Sequence, residues 1–286
     1  MMIPAIWTAI HVNMSTPEAL RALAGLGWRC FELSTEHLEQ LEAAADRPAR
    51  IAEVRRTLAD LGATMPQAHA LLNADVAHPD LARRQTDRER LARHIDIAAD
   101  LGVRTVVIHP GRGAGYTTRR EYDGLVATNV EAFRRLADCA GDRGLRIGLE
   151  NLMDGPDVAG RRHFGAAPLE LLDLLDRLGH AALGITLDTS HANVQRLDLV
   201  AAIREFGPHL VATHISDNDG SGDQHRTPGS GRIDWPAVVR TLHEVGYSGP
   251  FNLEIPGERH PVPEIQALKI RHAREVAEWL VGLTKG

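Results

Sequence analysis

Short runs of apolar and β-branched residues alternate with longer stretches of helical periodicity from one end of the chain to the other. That is the sequence form of a parallel sheet with crossover helices. Eight runs read as strands: Ile3–Ala9, Trp28–Leu33, Ala63–His69, Arg104–His109, Leu145–Glu150, Leu183–Asp188, His209–His214 and Pro250–Ile255. The first helix opens at Thr16-Pro17-Glu18, with Thr16 as cap and proline in the first turn, and stops at Gly25 or Gly27. From about Pro79 to Leu101, Leu81, Leu91, Ile95 and Ala98 recur at helical spacing against a charged face, and Gly102 ends the run. Further helices are expected over Tyr122–Arg143, Pro168–Leu178, Asp234–Val245 and from about Val262 to Leu283.

Eight β/α units without a low-complexity linker or a shift in composition make residues 1–286 a single α/β domain. The length suits a (β/α)8 TIM barrel, which typically needs about 250 residues, with a doubly wound sheet as the weaker alternative. Either architecture puts the active site at the C-terminal ends of the strands.

Composition narrows the partners. The formal charge is −6, with 32 Lys+Arg against 38 Asp+Glu, and aromatic residues are only 4%, so nucleic acid is an unlikely partner. Cys30 and Cys139 are far apart and in no C-x-x-C pairing, which supports neither a disulfide framework nor a thiolate zinc site and fits a cytoplasmic setting. His11 and Asn13 interrupt the apolar N-terminus before it could act as a signal or a span, so no membrane is implicated. No strongly apolar surface helix stands out, and homo-oligomerisation is left open.

Histidine is the anomaly, at 15 residues. The predicted strands three to eight end, or nearly end, in His69, His109, Glu150, Asp188, His214 and Glu254. Each alone has an ordinary explanation, a hydrogen-bonded core histidine or an acid capping the next helix. Six at the same end of one barrel point to a site. Carboxylate and imidazole together suit Zn²⁺, Mn²⁺, Co²⁺ or Fe²⁺.

Two local clusters extend the set. Asp188-Thr189-Ser190-His191 leads into a loop that presents another imidazole, and the Gly-rich segment His214–Arg226 carries Asp223 and His225, for which ligand and turn roles are equally open. Asp217, Asn218 and Asp219 read as solvated turn residues. Glu32 either reaches the barrel mouth or forms a cap or salt bridge, and His11 is equally open. Trp28 and Trp235 read as packing residues. Met153–Ala167 is long enough for a lid over the mouth, or for a loop without a role.

These residues resemble a known family. H-P-G after strand four, L-E-N at strand five, L-D-T-x-H at strand six, D-x-H-R and then P-G-x-G-x-I-D-W after the strand-seven His, and N-L-E at strand eight are similar to the xylose isomerase-like TIM-barrel superfamily. That superfamily includes sugar and sugar-phosphate isomerases and epimerases, inosose dehydratases and endonuclease IV. The resemblance covers nearly the whole chain. It implies Glu150, Asp188, His214 and Glu254 as ligands of a shared metal, with Glu150 and Glu254 as the catalytic acid/base pair. Endonuclease IV-like members bind three zinc ions, and their further ligands match His69, His109, His191, Asp223 and His225.

Two functions follow. The first is a divalent-metal-dependent isomerase or epimerase of a small keto sugar, sugar phosphate or related polyol. There the glutamates move a proton beside a carbonyl while Zn, Mn or Co stabilises the enediolate. His191 and Arg226 would bind substrate hydroxyls or a phosphate, with the loop Gly111–Gly115 as a second phosphate anchor that is otherwise a βα turn. The second is an endonuclease IV-like phosphodiester hydrolase with up to three zinc ions. The acidic charge, the scarcity of aromatics and basic pairs limited to Arg119-Arg120 and Arg161-Arg162 favour the first. A non-catalytic metal-binding module on the same barrel is the third and weakest reading.

Overall fold

The computed structural model describes residues 1–155 and 160–283. Eight parallel strands are present: β1 Ile3–Trp7, β2 Cys30–Leu33, β3 Thr64–His69, β4 Thr105–Ile108, β5 Arg146–Glu150, β6 Leu183–Asp188, β7 Leu210–His214 and β8 Pro250–Leu253. They pair in the order β7-β6-β5-β4-β3-β2-β1-β8. Ile215, just past β7, closes the ring on β8: its N–H donates to Asn252 O at 2.7 Å and its carbonyl accepts from Glu254 N at 3.2 Å. The result is a (β/α)8 TIM barrel with helices outside.

Ten α-helices are described: α1 Thr16–Gly25, α2 Thr35–Glu42, α3 Arg47–Asp60, α4 Leu81–Leu101, α5 Arg119–Asp142, α6 Pro168–Leu178, α7 Thr189–Val194, α8 Leu199–Phe206, α9 Trp235–Glu244 and α10 Pro263–Gly282. Every predicted strand and helix has its counterpart, with shifted ends. The α1 cap is Ser15 rather than Thr16, because the Ser15 N–H and hydroxyl both donate to Glu18 at 2.9 and 2.6 Å. Helix α5 starts three residues earlier than periodicity predicts, since Thr118 and Glu121 form the capping box that sets its first turn. Strand one stops at Trp7, where Thr8–His11 form a 3-10 turn.

Helix α3 carries few apolar positions, and α2, α7 and α8 are too short to be read from periodicity. The segment after β6 is therefore the helix α7 and not the expected loop, and this difference fixes the direction of His191. Helix α10 also departs from expectation: it exposes Ile265, Leu268 and Trp279, a stripe masked in the sequence by its interleaved charges. No helix among the described residues is long and apolar enough to cross a membrane.

The close approach of β5, β6 and β7 depends on two glycines. A Cβ on Gly148 would lie 2.2 Å from Thr186 Oγ1, and one on Gly184 would lie 2.4 Å from Val211 Cγ1. These contacts leave Gly148 and Gly184 no room for a side chain and bring Glu150 and Asp188, further along the same strands, to one rim.

Candidate functional site

The C-terminal ends of β3 to β8 bring all nine sequence-predicted metal-type residues together. Glu150 is the hub. Its Oε2 lies 3.1 Å from His69 Nε2 and 3.3 Å from His109 Nε2, and its Oε1 lies 3.2 Å from His214 Nδ1 and 3.5 Å from His191 Nδ1. Glu254 Oε2 reaches the same His214 Nδ1 at 3.3 Å. Asp223 Oδ2 lies 2.9 Å from His225 Nε2 and 3.5 Å from His191 Nε2.

Ligand atoms within 4.8 Å of one another define overlapping groups: His69-His109-Glu150, Glu150-Asp188-His214-Glu254 and Asp188-His191-His225, with a further set of His69, His214 and Glu254. Glu150 joins the first two groups and Asp188 the second to the third.

Four of the five imidazoles, those of His69, His191, His214 and His225, are aimed by a hydrogen bond on one ring nitrogen, the usual way a ring is held for a ligand role. His69 Nδ1 faces Ala70 O at 2.7 Å, and His191 Nδ1 faces Asn151 O at 2.9 Å. His225 Nδ1 faces Glu254 O at 2.9 Å. The backbone at His225 is left-handed, with φ +45°, a conformation uncommon for a residue with a side chain. His214 Nε2 is held at 3.0 Å by Glu32 Oε1.

Glu32 is fully buried beneath the site. It accepts from Gln67 Nε2 at 3.0 Å and from Asn252 Nδ2. Of its two sequence readings the salt bridge is the one realised, and Glu32 acts on the site only through His214. Asp188 fills the capping role: Oδ1 caps α7 by accepting from His191 N at 2.7 Å, while buried Oδ2 has no hydrogen-bond partner.

Buried Asp188 Oδ2 has no hydrogen-bond partner, and His214 Nδ1 faces two carboxylates without hydrogen-bond geometry to either, an arrangement inside one carboxylate/imidazole group that a cation would complete. The donor set fits a divalent metal ion of the kind that accepts mixed oxygen and nitrogen ligands. Its identity and number are not fixed by these side chains.

Crowding four carboxylates with five histidines shifts their protonation. Burial pushes the Glu150 carboxyl upward, but His214 and His109 outweigh it and hold it well below the usual carboxylate range. Asp188, desolvated and facing Glu150 and Glu254, is raised to about 7. Burial disfavours the imidazolium at His191, His214 and His225. Their carboxylate neighbours outweigh it, raising His191 and His214 well above the ordinary histidine value and His225 to about 10.

These shifts favour the imidazolium at all three rings, so a metal ion bound there would have to displace protons. Raising the pH from about 6 to 8 is expected to tighten binding by up to about tenfold per unit for each proton displaced. Titrations with Mn²⁺ or Zn²⁺ in buffers of different ionisation enthalpy would measure the released protons. An affinity independent of pH over that range contradicts the assignment.

The other candidates separate cleanly. Asp217 is structural, as expected, but buried rather than solvated: it accepts from Gly229 N, Gly231 N, Arg232 N and Trp235 Nε1 at 2.8 to 3.1 Å and so shapes the loop that carries Asp223 and His225. Arg226 pairs with Asp217 through its backbone, at 2.8 and 2.9 Å, and its half-buried side chain has no hydrogen bond or ion pair among the described residues. The Gly111–Gly115 loop is a turn whose donors are already engaged: Gly111 N by Asn129 Oδ1 at 2.7 Å and Gly113 N by Asp75 Oδ2 at 3.1 Å. Those N–H groups are not free to cradle a phosphate. The candidate lid 153–167 includes residues 156–159, which lie outside the described residues. Its C-terminal part pairs with the loop after β4, through Tyr116 N to Arg162 O at 2.9 Å and Arg162 N to Tyr116 O at 2.8 Å.

The fold and this site place the chain in a class of TIM barrels with histidines and carboxylates clustered at the strand ends. It belongs to the xylose isomerase-like TIM barrel family, whose model matches residues 20–280. An uncharacterised protein of Methanocaldococcus jannaschii is 30% identical over 181 residues, which cover 61% of this chain and 58% of that one. A ketose 3-epimerase of Arthrobacter globiformis is 29% identical over 210 residues, 70% of this chain and 66% of the relative. The chain thus spans somewhat under two thirds of these relatives. A probable endonuclease 4 of Nitratidesulfovibrio vulgaris is 29% identical over 265 residues, 84% of this chain and 88% of that one. In three dimensions the fold is like that of a D-tagatose 3-epimerase-like protein, at a TM-score of 0.80, 20% identity and full coverage of both chains.

Proposed function

We propose that this chain is a cytoplasmic, divalent-metal-dependent isomerase or epimerase of a small keto sugar, sugar phosphate or related polyol, with residues 1–286 as one catalytic domain. One observation carries the reading: Glu150 and Glu254, on different strands, bring a carboxylate oxygen within 3.2 and 3.3 Å of the same His214 nitrogen. In this reading Glu150, Asp188, His214 and Glu254 hold the ion, and the two glutamates flank a substrate carbon from opposite sides. When bound, the ion supplies Lewis-acid polarisation of a substrate carbonyl. One glutamate removes the proton next to that carbonyl and the other returns it. His191 holds a substrate hydroxyl, and Arg226 a hydroxyl or phosphate. The epimerase relatives support the reaction class.

A second reading is favoured by a specific observation, the His69-His109-Glu150 and Asp188-His191-His225 groups on either side of the central one. That set suits a multi-zinc phosphodiester hydrolase like endonuclease IV. Charge opposes it. Arg119, Arg161 and Arg162, three of the four arginines in the basic pairs, are neutralised by Asp123, Glu121 and Asp154 at 3.0, 2.7 and 3.4 Å, leaving little cationic rim for a duplex.

Incubation in D2O with a panel of free and phosphorylated ketoses, plus Mn²⁺, Co²⁺ or Zn²⁺, should yield an epimer or aldose labelled at the reacting carbon. In parallel, His109→Ala should leave metal content unchanged. Cleavage of abasic-site duplex without exchange in any ketose, together with loss of an ion in His109→Ala, would replace the first reading by the second.

A further inference from the structure

The opposite pole of the barrel, where the strands begin, holds a cavity of about 330 Å³. Thr64, Arg104, Arg146, Tyr247 and Ser248 are among the residues that line it, and none of its lining residues is a carboxylate. Arg104 and Arg146 stand side by side at the starts of β4 and β5, tied by Arg146 N to Arg104 O at 2.9 Å. Neither guanidinium has an acidic partner among the described residues. Arg143, only three positions from Arg146, shows the ordinary alternative: it binds Asp96 and Asp100 at 2.8 and 2.5 Å. Arg146 makes a single side-chain hydrogen bond, to Leu183 O at 3.3 Å, and burial of its stem lowers its pKa with no carboxylate to oppose the shift.

The inner wall supplies an independent observation. Gln67 lines the cavity, is 1% exposed, and its Oε1 has no hydrogen-bond partner. Its amide nitrogen is committed to Glu32 Oε1 at 3.0 Å and Thr213 O at 3.4 Å, which fixes the amide with its oxygen left over. Two solvent-facing guanidinium groups without acidic partners, above a buried amide oxygen without a donor, make this cavity selective for an anion that brings its own proton or water to the amide.

We propose that this cavity binds a phosphate group, free or as a small phosphate monoester, between Arg104 and Arg146 and separately from the metal-type cluster. Paired guanidinium forks match a tetrahedral dianion in charge and geometry. The Thr64 and Ser248 hydroxyls add neutral donors at the rim. The cavity is roomier than inorganic phosphate requires, which leaves space for the organic part of a monoester. Through Gln67, an occupant would stand one side chain from Glu32, the residue that aims His214.

Calorimetric titration of the whole protein with inorganic phosphate, and separately with glycerol 3-phosphate, tests this against sulfate and chloride controls. The variants are Arg104→Gln/Arg146→Gln and, to report on the metal-type cluster, Glu150→Gln. Both arginine side chains reach the surface and glutamine keeps most of the stem, so the double variant should unfold at the wild-type temperature without phosphate. Each single arginine variant provides a second reading of the same site.

The expected result is a saturable phosphate site, one per chain, that is at least tenfold weaker in the double variant, weakened in each single variant and unchanged in Glu150→Gln. Tighter binding of the monoester identifies an organic phosphate as the occupant, and tighter binding of inorganic phosphate identifies the free ion. Binding that survives the double variant and disappears in Glu150→Gln assigns all phosphate to the metal-type cluster and overturns the proposal. So does the absence of saturable binding in the wild type.

Discussion

Glu150→Gln should lose at least one metal ion per chain and at least about ten-thousandfold in turnover, the upper end of what loss of a single acid/base group alone typically costs. No other carboxylate in the site touches as many imidazoles. Its two oxygens contact His69, His109, His191 and His214 within 3.5 Å. Glutamine preserves the shape but presents one oxygen and an N–H₂ group, so it cannot accept from both sides. The amide must turn a donor toward either His69 and His109 or His191 and His214.

The metal-free variant separates site chemistry from folding. In the wild type, Glu150 balances the charge of His214 and its neighbours, and breaking such a buried pair costs on the order of 3–5 kcal/mol while the imidazoles stay charged. Histidine can shed its proton, so the loss of stability should shrink as pH rises through the raised histidine values. Chemical denaturation at neutral and alkaline pH, with chelator present, measures it. Full metal content and undiminished turnover in this variant would remove Glu150 from the centre of the site.

That the barrel is legible in the sequence while the scaffold of the site is not comes down to sequence distance. Leu183–Asp188 and Leu145–Glu150 are apolar runs ending in an acid, a local contrast that marks both the strand and its functional end. Gly102 and Gly179 mark helix stops equally locally, at φ +83° and +55°. The network beneath His214 has no local mark. Glu32, Gln67 and Asn252 are separated by 35 to 220 positions and converge only when the barrel closes.

A weak signal was nevertheless present, because Gln67 and Asn252 are amides inside otherwise apolar strands and such residues require buried partners. Helices α7 and α8 stayed hidden for a different reason. Asp188 and Asp198 cap them through side-chain bonds to His191 N and Ala201 N at 2.7 and 3.1 Å, but helices of six and eight residues are too short to display a period.

Glu254→Gln is the sharper test of chemistry, because its two effects should part company: turnover falls by about a hundred- to ten-thousandfold, the range for removing a general acid or base, while most of the metal stays. The amide oxygen can replace the carboxylate oxygen that faces His214 Nδ1 at 3.3 Å, whereas an amide cannot accept and return a proton at neutral pH. The local backbone should not move. Glu254 N is bonded to Ile215 O at 3.2 Å and Glu254 O to His225 Nδ1 at 2.9 Å, both independent of the side chain. Elemental analysis and D2O exchange on one preparation decide the matter. Metal retained with exchange abolished makes Glu254 one of the two proton carriers. Metal retained with exchange unchanged removes Glu254 from the proton carriers and moves proton transfer to Glu150 or His191, which lie 3.5 Å apart in the same cluster.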